Sequence, residues 1–294
     1  MCMPTISMSS DQLFLPELNR TLDVHGMNAV LCIVRLRISE SFHRLLSGSQ
    51  QRAEQQSFVP WKTYESDPRA KVTQGFVVQI IGSYGPMLSS MNPNCMILWH
   101  NMCIMLTTDL RLFELGAGCA GADAARDALD DIAIWAQTPA ARRACIHAAQ
   151  TFKLISNRRA SDGDPFHATT SLFIAALVLG LYVFMSAPEE EGAAPPSSGF
   201  DLTDDVDWNI VSNEGLSDEH QIVDDDAVNF IRNGGGICFN GVVHHAGYES
   251  ARRILLDYAR LLEDISKWRF GVHQFSRVLR IMSDALVDVE ASGE

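Results

Sequence analysis

The feature that most limits what this chain can fold into is a local device used three times: a side chain able to cap a helix, followed at once by proline. It occurs at Asn92-Pro93, Thr138-Pro139 and Asp164-Pro165. A short polar side chain accepts hydrogen bonds from N–H groups that a helix leaves unpaired at its start. Proline, which lacks an N–H and holds φ near the helical value, suits the first turn. Each pair opens an apolar run: Met96, Ile97, Trp99, His100, Cys103, Met105 and Leu106 after the first, Cys145, Ala148, Phe152 and Ile155 after the second, and Leu172 to Met185 after the third. No segment of strand-like alternation separates them, which predicts an all-α fold, a multi-helix array of antiparallel helices.

Helical periodicity extends the array. Val30, Leu31, Val34, Ile38, Phe42, Leu45 and Leu46 recur at spacings of three and four within Leu22 to Leu46, and a shorter apolar run spans Val72 to Ile81. Asp123 opens a helix through Leu129, Ile132, Trp135 and Ala136, after a glycine-rich break at 116 to 121. A polar loop is expected over 50–68, and a second break at Gly82 to Pro86. Later come a short helix near Asp226 to Arg232, a stop at Gly234-Gly235-Gly236, and a few extended residues around Ile237 to Val243. Two amphipathic helices close the chain, one carrying Tyr248, Ala251, Ile254, Leu255, Tyr258, Leu261, Leu262 and Ile265, the other Val272, Phe275, Val278, Leu279, Met282 and Leu286.

Charge gives the domain plan. Residues 188–231 hold 13 acidic side chains and no Lys or Arg, leaving 23 acids against 23 bases elsewhere, so the formal charge of −13 lies in this one segment. The plan is a helical body over 1–187, an acidic connector over 188–231 with its linker core at 188–224, and a C-terminal helical hairpin over 232–294 packing on the body. The near-neutral body argues against a surface that tracks phosphates, and so against direct contact of this chain with nucleic acid. Phe200, Leu202, Val206, Trp208, Ile210, Val211, Leu216, Ile222 and Val223 punctuate the acids. Such a composition suits a segment that docks on a coactivator, or a surface excursion folded back on the body.

The seven cysteines, at 2, 32, 95, 103, 119, 145 and 238, are odd in number and scattered, as reduced core thiols would be. With no secretory signal pattern at the N-terminus, an intracellular setting is expected, and no compact Lys/Arg run marks a nuclear import signal. The uncharged stretch Ala168 to Pro188 raises a membrane reading. Its apolar centre, Leu172 to Met185, is shorter than the roughly 20 residues of a bilayer span, and a helix buried all round is expected instead.

Candidate chemistry is sparse. Gly116, Gly118 and Gly121 spell G-x-G-x-x-G, yet the dinucleotide mechanism needs a strand on either side and an acid some 20 residues on, where this chain has Trp135-Ala136-Gln137. His100 with Cys103, Cys145 with His147, and His244 with His245 are each half of a zinc site, with no close ligand pair such as C-x-x-C. Gly82-Ser83-Tyr84-Gly85 is not a G-x-S-x-G elbow and reads as a turn. Asp204, Asp205, Asp207 and Asp224 to Asp226 lie in a solvated run, where tuning by burial is not expected. No catalytic, cofactor-binding or metal residue is assigned, and the chain is not expected to be an enzyme. The alternative is a helical enzyme binding a nucleotide at Gly116 to Gly121.

The stretches ILWHNMCIMLTTDLRLFELGAG, WAQTPAARRACIHAAQTFKLI and FHATTSLFIAALVLGLYVF, at 97–118, 135–155 and 166–184, resemble the later part of the fungal-specific transcription factor domain. FIRNGGGICFNGVVHHAGYESARRILLDYARLLEDISKWRFGVHQFSRVLRIM, at 230–282, is similar to the C-terminal end of such regulators, especially those led by zinc fingers with two cysteines and two histidines. DVDWNIVSNEGL, at 205–216, fits their connector, and the resemblance spans roughly residues 20 to 285. It implies a helical regulatory domain in the nucleus that contacts protein co-regulators or a second copy of itself. Zinc is implied only in an N-terminal DNA-reading module, of six cysteines or paired fingers, which these 294 residues do not contain. No site residue carries over from the resemblance.

Overall fold

Two of the three cap-proline pairs act as their chemistry requires. In the computed structural model the Asn92 side chain accepts from the Asn94 N–H and opens α2, and Thr138 Oγ1 accepts from the Ala141 N–H and opens α5. The structure describes residues 23–48, 59–61, 74–80, 84–85, 87–88, 92–159, 166–186, 199–216, 223–265 and 273–291. The pair at Asp164-Pro165, the breaks at Gly82, Ser83 and Pro86, and most of the 50–68 loop lie outside these residues.

The architecture is all-α. In chain order the elements are α1 (Val24–Gly48), α2 (Pro93–Thr107), α3 (Leu110–Gly116), α4 (Ala122–Ala136), α5 (Pro139–Ser156), α6 (Phe166–Met185), β1 (Phe200–Asp201), α7 (Trp208–Val211), α8 (Asp226–Asn233), β2 (Ile237–Phe239), β3 (Val242–His244), α9 (Tyr248–Ile265) and α10 (His273–Ala291). Residues 74–80 are also helical. α6 is the hub, packed against α9, α5, α2, α4, α3 and α10. By length and composition His167–Met185 would suffice to cross a membrane, and most of that window is enclosed by neighbouring helices. Where α6 meets α9 the backbones approach closely. A Cβ on Gly180 would lie 2.6 Å from Leu255 Cδ2 and 3.0 Å from its Cγ, so a larger residue there displaces the Leu255 side chain.

The structure refines three local readings. The segment from 92 to 116 is two helices, because Thr108 turns extended and Asp109 caps a new start by accepting from the Arg111 N–H. The helix expected to open at Asp123 begins at Ala122 behind Gly121, with Asp123 in its first turn as a charge that suits the helix dipole. The extended residues after Gly236 form a hairpin. Phe239 pairs with Val242 across Asn240 (φ 51°) and Gly241 (φ 74°), the two-residue turn that Asn-Gly favours, and β1 adds to β2 in parallel.

Over 188–231 the described residues follow the second of the two readings, the excursion folded back on the body. The described part of the segment is built into the core instead of standing apart as a connector: Leu202, Trp208, Val211, Leu216, Ala227, Val228, Phe230 and Ile231 are all buried. Several of its acids serve locally, with Asp207 capping α7 and Asp225 capping α8. What draws the segment down is one face of α5. Gln150 donates to the Leu202 and Asp204 carbonyls (3.0 and 2.6 Å), Arg143 to those of Ser212 and Glu214 (2.8 Å each), and Arg142 to those of Ile231 and Arg232 (2.7 and 2.8 Å). Lys153 reaches Asp205 at 2.7 Å. A segment poor in regular structure must find partners for its carbonyls elsewhere, and α5 supplies them.

Gly215 marks the tightest point of this docking. It sits at φ 79°, and a Cβ there would lie 2.9 Å from the Pro139 carbonyl oxygen and 2.8 Å from Ile231 Cγ2. Gly215→Ala combines left-handed strain with a clash against backbone and is expected to destabilise the chain by about 2–4 kcal/mol in denaturant titration. Gly75→Ala, at a helical position with open space around the added methyl, is expected to stabilise by about 0.5–1 kcal/mol. Equal effects for the two would rule out the tight docking.

Candidate functional site

Two clusters gather the ionisable groups, and both are organised by α5. In the first, α2 contributes Trp99, His100 and Cys103, α5 contributes Arg143 and His147, and α7 contributes Trp208. His100 Nδ1 and His147 Nδ1 are 2.9 Å apart, close enough for a hydrogen bond with one donor and one acceptor. His147 Nε2 is buried with no partner. We assign His147 as the donor, because its Nε2 is then a bare lone pair instead of an orphaned N–H. The Trp208 ring stacks on His147 at 4.0 Å and 10°, and Trp99 meets both imidazoles edge-on.

Burial governs the electrostatics of this cluster. It pushes the His100 pKa down to about 3 and that of His147 well below the usual histidine range, with His100 and Arg143 adding repulsion at His147. It raises the Cys103 thiol to about 12 against the pull of Arg143, so the thiol stays protonated and inert. Arg143 falls only to about 10 and keeps its charge, held 5.6 Å from the Trp208 ring centre. Glu214, tied to Arg143 through its carbonyl, gives its carboxylate to Arg232 at 2.6 Å. Beside the cluster lies a cavity of about 10 Å³. That is room for about one water, and no substrate fits.

The structure thus joins two of the separate half-sites read from sequence, through His100 and His147, but not as a zinc centre. Among the described residues no group of three or more His, Cys, Asp or Glu side chains is placed to hold a metal ion. Cys95, Cys103 and Cys145 are buried, whereas Cys32 and Cys119 are exposed and do not match the expected core thiols. Gly116 to Gly121 join α3 to α4, with Gly118 and Gly121 at positive φ. Helices on both sides remove the context that dinucleotide binding needs. Of Gly82-Ser83-Tyr84-Gly85 only the last two residues are described, and those two are helical.

The second cluster surrounds a cavity of about 210 Å³ between the start of α5, the end of α6 and the loop from α8 to β3. Its polar lining comes from Gln137, Arg142, Ser186, Asn233, His244 and His245, along with the Gly234–Gly236 backbone and Tyr182, and holds no Asp or Glu among the described residues. Arg142 is positioned by three bonds to carbonyl oxygens, Nε to Ile231, Nη2 to Arg232 and Nη1 to Gln137, and has no carboxylate partner among the described residues. His244 is 3% exposed, and its Nε2 is buried without a partner. Burial lowers the His244 pKa, opposed by a hydrogen bond to the Phe239 backbone. Burial raises the Tyr182 pKa, keeping its hydroxyl a donor. Sequence reading singled out His244 and His245 but missed Arg142, whose only signal is a paired arginine in an alanine-rich helix.

On the far side of the Gly234–Gly236 strip lies a wider hollow of about 580 Å³ lined by Asp201, Asp204, Asp205, Asp225 and Asp226. The glycines therefore divide a basic recess from an acidic one. No known protein family, curated protein or solved structure matches the chain.

Proposed function

We propose that this chain is a helical regulatory domain of the fungal transcription-factor type, acting in the nucleus through contacts with protein co-regulators and not by reading DNA or by catalysis. One observation carries the reading. The stretches that resemble those regulators, 97–118, 135–155, 166–184 and 230–282, lie on α2 to α6 and α8 to α10, and of these helices all but α8, which packs on α5, gather around the hub α6. The ionisable groups at its centre, His100, His147 and Arg143, are held neutral or tied to carbonyls in a space too small for substrate, which suits a scaffold better than an active site.

The test is a reporter assay with the full chain fused to a heterologous DNA-binding domain. A several-fold change in reporter output is expected, and an unaltered output from a well-expressed nuclear fusion overturns the proposal. Deleting 188–231 does not separate regulation from folding, because the cut takes Trp208, Val211, Leu216 and Phe230 out of the core. A membrane-associated reading draws on the apolar length of α6 alone, and fractionation without detergent decides it.

A further inference from the structure

We propose that the cavity between α5, α6 and the α8–β3 loop binds a small organic anion through its carboxylate, with Arg142 and His244 as the recognising side chains. The argument starts from charge. Arg142 stays protonated at neutral pH even though burial lowers its pKa, and every bond it makes goes to a neutral carbonyl. A guanidinium has five N–H donors, and three are spent on Ile231, Gln137 and Arg232, leaving one on each terminal nitrogen. Two parallel N–H groups at that spacing match the two oxygens of a carboxylate.

The rest of the wall agrees. His244 Nε2 is a buried polar atom with nothing to bond, the kind of group that native interiors rarely leave unsatisfied without a ligand or water to meet it. With its Nδ1–H given to the Phe239 carbonyl, His244 donates from Nε2 once it takes up a second proton, which a bound carboxylate favours, and Tyr182 brings a hydroxyl. No described acidic side chain lines the recess to repel an anion, and the aspartates of the neighbouring hollow lie behind the glycine strip. A volume near 210 Å³ suits a small organic acid, below the roughly 300–1,000 Å³ of pockets that take drug-sized ligands. Such a ligand would give the regulatory reading an effector of defined class. The inference rests on that reading for its consequence, though not for binding itself.

The experiment is calorimetric titration of the full chain with succinate, alongside inorganic phosphate and the uncharged succinamide. Saturable binding of succinate is expected, at least tenfold tighter than succinamide and tighter than phosphate. Arg142→Gln is expected to weaken it tenfold or more, whereas Arg260→Gln, on the exposed side of α9, leaves it unchanged. Should circular dichroism show that Arg142→Gln has lost helix, Arg142→Lys carries the comparison, because it keeps the charge and loses the paired N–H groups, with affinity expected to fall several-fold. Absence of saturable succinate binding overturns the proposal, as does equal binding by the folded variants or a preference for phosphate. Because titration needs no reporter, a failed titration beside an active fusion removes only the ligand, and the converse removes only the regulatory reading.

Discussion

Trp208→Ala is expected to lower the stability of the full chain by about 4 kcal/mol, the range seen when a large aromatic is truncated in a core. For a chain of this size that is a fall in melting temperature of about 10 °C. Trp208 is 7% exposed although it lies in the most acidic part of the sequence. Its ring covers His147, meets Trp99 edge-on at 5.4 Å and lies under the Arg143 guanidinium. Alanine removes all three contacts and admits water to a polar pair that has been kept dry. Limited proteolysis of the variant should cut first within 199–216. A melting temperature within 2 °C of the parent's would mean that the segment is only loosely attached, as the connector reading had it.

Acid is the second large lever. Free histidine side chains in the unfolded chain titrate near 6.5, while His100 and His147 are held far lower in the fold, so between about pH 6.5 and pH 3 the unfolded chain binds more protons. Stability contributed by these residues is therefore full above pH 6.5 and is lost as pH falls. At pH 5 the loss is about 2 kcal/mol for each, or about 4 kcal/mol for the pair, a large share of a typical folding free energy. Burial lowers His167 and His244 as well, and their shifts act in the same direction. Urea midpoints at pH 7 and pH 5 measure the effect, and a midpoint that does not move would show that the imidazoles are open to water. The two predictions are coupled, since Trp208→Ala wets His147 and should flatten the pH dependence.

What was legible in the sequence was what is decided locally. Asn92-Pro93 and Thr138-Pro139 fix helix starts because cap and proline act within one turn. α6 announced its burial by being apolar on every side. The division between α2 and α3 escaped because Leu110, Leu112 and Phe113 continue the apolar spacing, while the cap that breaks it, Asp109, is a single residue. The Asn240-Gly241 turn was visible and was passed over, since strands of three residues are too short to show alternation. The bonds that fold 199–232 back could not be read at all. Gln150, Arg143 and Arg142 find their carbonyls 52 to 90 residues further on, and an acidic, glycine-punctuated run without Lys or Arg before Arg232 looks like a linker until its partner is known. The basic recess follows the same rule, because Arg142 and His244 share no stretch of sequence.

That separation sets a timetable for synthesis. Arg143 is made 69 residues ahead of Ser212, and a ribosome adding about 5–20 residues per second leaves α5 without these partners for roughly 3–14 s. During that interval the nascent chain holds a charged guanidinium beside an apolar helix pair and an α6 whose α9-facing side is still uncovered. The early helices can collapse together, but they cannot close until the last third of the protein arrives. Translation speed and holding chaperones should therefore govern the yield of folded chain more strongly than they would for a helical bundle assembled from neighbours in sequence.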